Sequence, residues 1–207
     1  VLDLGCGVGY ITYSFLEQNS SVMLRPICLD VLPENIKLVR KRQVEQQVKG
    51  LFPIVGNAEH MPLCDNLVNA ILCSEVMEHV PNPDECCHEI FRIMAPGGQI
   101  VISTPNQKPY ERYNNVRLFL RKMLGRDPGP SEDFYDSPLD HRTLIRYLKQ
   151  AGFRIKNVEF GIKVPFSKRF FMYLPEKLAK RSVDLLEKIL PAELTAVSIL
   201  IKCEKPV

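Results

Sequence analysis

The chain has 207 residues, 45% hydrophobic and 25% charged, with a formal net charge of +3. That suits one globular domain with a sizeable core and excludes a strongly basic nucleic-acid binder, so no DNA is expected among its partners. No apolar run approaches the roughly 20 residues of a membrane-spanning helix, and seven cysteines without a C-x-x-C are expected to be reduced thiols of a cytoplasmic protein.

Val1–Leu4 is predicted as a buried strand, and Gly5-Cys-Gly-Val-Gly9 as a glycine-rich turn into a helix beginning near Tyr10. A strand, a tight turn and a helix N-terminus let a nucleoside-bearing cofactor lie against bare backbone. The third glycine comes one residue too early for G-x-G-x-x-G, and Asp3 stands where a dinucleotide fingerprint has an apolar residue. Arg25–Asp30 reads as a second strand closed by an acid. Asp30 follows the glycines at nearly the spacing at which such folds place a carboxylate on ribose hydroxyls. Pro33 opens a helix, with Ile36, Val39, Val44 and Val48 as its apolar face and Gly50 as its end. Leu51–Val55 is a third strand and Val68–Cys73 a fourth.

A helix is expected from about Pro83 to Met94. Pro96-Gly-Gly98 then turns into a strand over Gln99–Thr104 that Pro105 stops. Residues 107–136, rich in Pro, Tyr and Arg, read as an insertion with a helix over Val116–Leu124, a lid by its length. A helix over Asp140–Gln150 capped by Gly152, a strand over Phe153–Phe160 and a last strand over Leu194–Cys203 complete the pattern. Strands alternating with helices argue for a parallel sheet covered on both faces.

Five stretches in order carry a resemblance: Val1–Gly9, Cys28-Leu-Asp30, Gly56-Asn-Ala-Glu-His-Met-Pro-Leu63, Cys73-Ser-Glu-Val-Met-Glu-His-Val80, and Ala95-Pro-Gly-Gly98 with Ser103-Thr-Pro-Asn106. Together they resemble class I S-adenosylmethionine-dependent methyltransferases of the small-molecule type, the group with the ubiquinone and menaquinone methyltransferases. The resemblance implies a single Rossmann-like α/β domain over 1–207. Its doubly wound, mostly parallel seven-stranded sheet would have an antiparallel strand near the C-terminus and a helical lid insertion. It also implies helices ahead of Val1.

The resemblance places Asp3, Gly5, Cys6 and Gly7 by the methionine and ribose of the cofactor, and Asp30 on both ribose hydroxyls with Val31 beside it. Asn57 and Ala58 would face the adenine, with Asn57 standing where the family commonly has Asp and Asn69 replacing an acid often found in the fourth strand. Ser74 and Glu75 would lie under the methionine portion. Bland alternatives stay open: a turn role for Asn57 and a packing role for Cys6.

Glu75, Glu78 and His79 would share one face if their segment turned helically, and could then hold a divalent cation such as Mg2+. The competing reading packs Glu78 and His79 against the cofactor loop. His79 is also the candidate general base, imidazole being suited to taking a hydroxyl proton. Tyr110, Tyr113, Arg117 and His141 are candidate acceptor-facing groups, His141 also reading as a first-turn surface residue. Phe166, Phe170, Phe171 and Tyr173 interleave with cations over 163–190, either a peripheral membrane contact or a helix with a solvated basic side.

The expected activity is methyl transfer to a small-molecule or lipid-like acceptor, O-methylation favoured. The absence of an Asn/Asp-Pro-Pro-Tyr run and of a Pro-Cys dipeptide argues against two routes of nucleobase methylation. Two alternatives come from other classes: a non-catalytic module that binds cofactor or a partner, and a nicotinamide oxidoreductase, against which Asp3 and Tyr10 speak.

Overall fold

A computed structural model describes residues 1–19, 24–106, 139–163 and 196–207. In chain order the elements are β1 (Leu2–Leu4), α1 (Tyr10–Gln18), β2 (Ile27–Asp30), α2 (Pro33–Glu45), β3 (Phe52–Val55), β4 (Val68–Ser74), α3 (Pro83–Ile93), β5 (Met94–Pro105), α4 (His141–Gln150), β6 (Arg154–Lys163) and β7 (Ala196–Glu204). The seven strands form one sheet in the order β3-β2-β1-β4-β5-β7-β6. Pairings from β3 to β5 are parallel, and β7 lies antiparallel between β5 and β6. The fold class expected from the sequence is therefore the one observed. The insertion over 107–136 and the basic stretch over 163–190 fall almost wholly outside the described residues.

The sheet separates two apolar layers. On one side Cys6, Tyr13, Cys28, Ile36, Val39 and Leu51 pack under α1 and α2. On the other, Cys86, Cys87, Ile90 and Ile93 of α3 meet Leu144 and Leu148 of α4 over the inward side chains of β1, β4, β5 and β7. All three residues of β1 are buried, as a central strand covered on both faces requires. From β1 the chain steps outward to β2 and β3, then returns to place β4 on the other side of β1. The crevice where strand order reverses lies at the C-terminal ends of β1 and β4, the edge at which open α/β sheets bind ligands.

Three local expectations need correction. α2 ends at Glu45, with Gln46 as its C-cap and Gln47 in the left-handed region, so Gly50 belongs to the turn before β3. Of its expected apolar face Ile36 and Val39 are buried, but Val44 is exposed and Val48 lies beyond the helix. The periodic face was drawn across a helix end that no proline or glycine marks. Pro96-Gly97-Gly98 does not precede the fifth strand but lies inside it. Gly97 N–H donates to the Lys205 carbonyl and Lys205 N–H to the Gly98 carbonyl, both at 2.9 Å, so pairing with the C-terminal segment draws the turn into the sheet.

Candidate functional site

The glycine turn is built from left-handed backbone: φ is 67° at Gly5, 52° at Gly7 and 81° at Gly9. Each has its own reason for lacking a side chain. A Cβ on Gly5 would overlap the Val76 methyls, and one on Gly9 would press on Tyr13 and Val39 at 3.1–3.2 Å. A Cβ on Gly7 would meet nothing within 4 Å, so the turn has open space beside it there. Gly5 N–H donates to the Leu29 carbonyl at 2.8 Å, which ties the turn to β2.

Two buried acids flank the turn. Asp3 Oδ2 accepts a 2.5 Å hydrogen bond from the Thr12 hydroxyl in the first turns of α1. Burial pushes its carboxyl above the ordinary range against the effect of that bond, and the nearby Asp30 adds to the rise. Asp30, 7% exposed, ends β2. Its Oδ2 accepts from Gly7 N–H at 2.8 Å, and its Oδ1 from Leu32 N–H at 2.9 Å and the Asn35 side-chain amide at 3.0 Å. One carboxylate thus holds the glycine turn and the start of α2 together. Val31 and Leu32 beside it are exposed apolar side chains.

The remaining residues come from the next two strand ends. Asn57, just past β3, is exposed. Its Oδ1 accepts the Glu59 N–H at 2.9 Å and its amide donates to Glu59 Oε2 at 3.2 Å, so the turn role is realised. Ala58 next to it packs on the core. Ser74 Oγ lies 2.9 Å from Ser103 Oγ, joining the ends of β4 and β5. Glu75 follows at φ 53°, rare for a residue with a side chain, and its N–H donates to the Ser103 carbonyl at 2.9 Å.

The segment after Glu75 is a turn and not a helix, so the premise that Glu75, Glu78 and His79 share a helical face does not hold. Glu75 and His79 are exposed while Glu78 is buried. Among the described residues no group of three or more His, Cys, Asp or Glu could hold a metal ion. Glu78 accepts from the buried Thr104 hydroxyl at 3.2 Å. Burial, aided by the Glu75 carboxylate, raises its pKa to about 7.

His141 is half-buried in the first turn of its helix: its side chain is 14% exposed, lies 3.2 Å from the Asp140 carboxylate and stands edge-on to Phe160. Tyr110, Tyr113 and Arg117 lie outside the described residues. The structure thus gathers Asp3, Gly5, Cys6, Gly7, Asp30, Val31, Asn57, Ala58, Ser74 and Glu75 along one sheet edge. Sequence reasoning missed Thr12 and Asn35, which clamp the two acids; their signal was a polar residue at the third position of each helix that follows an acid.

Residues 2–102 match the family described as "Methyltransferase domain". Among curated proteins, the ubiquinone biosynthesis O-methyltransferase of Xanthomonas oryzae pv. oryzae (strain PXO99A) is 25% identical over 171 residues, covering 82% of this chain and 68% of that one. The enzyme of the same name from Aeromonas salmonicida (strain A449) is 29% identical over 173 residues, covering 82% and 69%. Among solved structures, the geranyl diphosphate C-methyltransferase of Streptomyces coelicolor A3(2), in complex with Mg2+, geranyl diphosphate and S-adenosyl-L-homocysteine, superposes with a TM-score of 0.67. At 15% identity, covering 99% of this chain and 72% of that one, it speaks for the fold alone.

Proposed function

Because the chain carries a class I S-adenosylmethionine-dependent methyltransferase domain, we propose that it methylates a hydroxyl of a small, lipid-like acceptor. The observation that carries this reading is the crevice at the β1/β4 switch point, where open space beside Gly7 adjoins the Asp30 carboxylate and the exposed Val31 and Leu32. Those residues fit the cofactor: a carboxylate for a diol, bare backbone for a close approach, and apolar side chains for a base.

When bound, S-adenosylmethionine supplies an electrophilic methyl on a sulfonium. In this proposal Asp30 accepts both ribose hydroxyls, and Asp3, Gly5, Cys6 and Gly7 border the ribose and methionine. Val31, Asn57 and Ala58 surround the adenine, the Asn57 oxygen being shared with its turn. Ser74 and Glu75 support the methionine end. His79, on the turn after β4, takes the acceptor's proton. In-line positioning then does most of the work, since the leaving group is already activated.

O-methylation and the acceptor class lean on the relatives named for ubiquinone biosynthesis. The segments over 107–136 and 163–190 complete the proposal as a lid and a peripheral membrane contact of a cytoplasmic enzyme. No described helix is long and apolar enough to cross a membrane.

The test is calorimetric titration of S-adenosylmethionine and of NAD, followed by mass spectrometry of hydroxylated prenyl-aromatic acceptors. S-adenosylmethionine should bind and NAD should not. Asp30→Ala should weaken binding about 10- to 100-fold, the worth of hydrogen bonds to a charged group. NAD binding alone would turn the reading to an oxidoreductase, and cofactor binding without any methylated product to a non-catalytic module.

A further inference from the structure

An aspartate just past β3 would present oxygen to a ligand in either rotamer. An amide carries oxygen on one side and NH2 on the other, so a half-turn exchanges acceptor for donor. Asn57 has that choice, and Glu59 removes it. The Glu59 backbone N–H, which can only donate, meets Asn57 Oδ1 at 2.9 Å. Its carboxylate, which can only accept, meets the Asn57 NH2 at 3.2 Å. Both contacts demand the same rotamer. Glu59 is itself held, since Oε1 accepts the Asn82 N–H at 2.7 Å and Asn82 is the N-cap of α3. The turn is tied to that helix again where Met61 N–H donates to Glu89 Oε1 at 2.6 Å and Arg92 Nη2 to the Met61 carbonyl at 3.2 Å. Asn57 is exposed, and its oxygen keeps a second lone pair for a ligand.

We propose that Glu59 is a positioning residue for base recognition: by locking the Asn57 amide it presents oxygen to the 6-amino group of adenine and disfavours a 6-oxo base such as hypoxanthine. The inference rests on the proposed function, which puts adenine beside Asn57; the lock itself does not. An amino group at that position donates to the free lone pair. A 6-oxo group would set two acceptors face to face with no proton between them. Glu59 touches neither the cofactor nor the reacting atoms and acts only through Asn57. The logic extends to a neutral isostere. In Glu59→Gln the Asn82 N–H still needs an acceptor, so the new side chain turns its oxygen there and its NH2 to Asn57. Asn57 then faces two donors with one oxygen, and its rotamers become nearly equal. Adding Asn57→Asp supplies oxygen to both donors and to the base.

The experiment titrates S-adenosylhomocysteine and S-inosylhomocysteine calorimetrically into the full chain, into Glu59→Gln, and into Glu59→Gln with Asn57→Asp. Nuclear Overhauser contacts of the Asn57 side-chain amide are recorded on the free proteins. In the wild type those NH2 protons should contact the Glu59 γ-methylene and not the Glu59 backbone N–H. Glu59→Gln should lower the preference for the adenine ligand about threefold to tenfold, the worth of one neutral hydrogen bond. The double variant should regain it. An unchanged preference in Glu59→Gln would overturn the proposal, as would a loss that Asn57→Asp fails to repair, because Glu59 would then serve the fold alone. Wild-type NH2 contacts to the backbone N–H would overturn the lock. Wild-type protein that binds neither ligand while its amide still contacts the γ-methylene would sink the proposed function and leave the lock standing.

Discussion

Replacing Glu78 with Gln should stabilise the protein at neutral pH and above, although it removes a charge from the site's edge. Glu78 is 5% exposed, with its Oε2 held by Thr104 at 3.2 Å. Burial and the neighbouring Glu75 raise its pKa from 4.5 to about 7. A carboxyl with a raised folded-state pKa contributes nothing unfavourable below about pH 4.5, where folded and unfolded chains both hold the proton. Between there and about pH 7 the unfolded chain ionises first and stability falls; above that both are ionised and the loss is complete. At about 1.4 kcal/mol per pH unit the rise from 4.5 to about 7 costs about 3–4 kcal/mol, or about 6–16 °C in Tm for a chain of this size. Gln keeps an oxygen for the Thr104 hydroxyl and has no proton to lose. Urea denaturation followed by circular dichroism from about pH 5 to pH 8 should show the wild type losing stability relative to Glu78→Gln, with the gap widest at the alkaline end. Parallel curves would refute the reasoning, because other titrating groups are common to both proteins.

Gly5→Ala should abolish cofactor binding and destabilise the fold, since an L-residue at φ 67° costs about 1–2 kcal/mol before its Cβ overlaps Val76; adding Val76→Ala should recover thermal stability only in part, because the backbone strain remains. Tyr13→Phe removes the buried 2.8 Å bond to the Val39 carbonyl and should cost about 1 kcal/mol in denaturation, the net worth of one hydrogen bond to an acceptor that keeps its place in α2.

Much of the frame was legible because it depends on local chemistry. Strand, glycines and helix start follow one another within the first ten residues, and Asp30 and the strand-end motifs mark the sheet edge at which a ligand crevice forms. Periodicity went astray where a helix stops without a marker, as at Glu45 and Val44, and where a turn is recruited into a ladder by distant chain, as Lys205 does for Gly97 and Gly98. The fate of Glu75, Glu78 and His79 was likewise unreadable, because their offsets fit a helical face and only the positive φ at Glu75 sends the segment another way.

The sequence by itself determined the fold class, the position of the glycine turn and the two acids beside it, since alternation, glycine and chain spacing are written locally. Only the tertiary structure decided that Thr12 and Asn35 clamp those acids, that Glu78 is buried beside Thr104, and that Cys6 and Cys28 fall in one buried cluster. Those contacts join residues from different elements, and no local pattern encodes which side chains the packing of α1 and α2 onto the sheet will bring within reach.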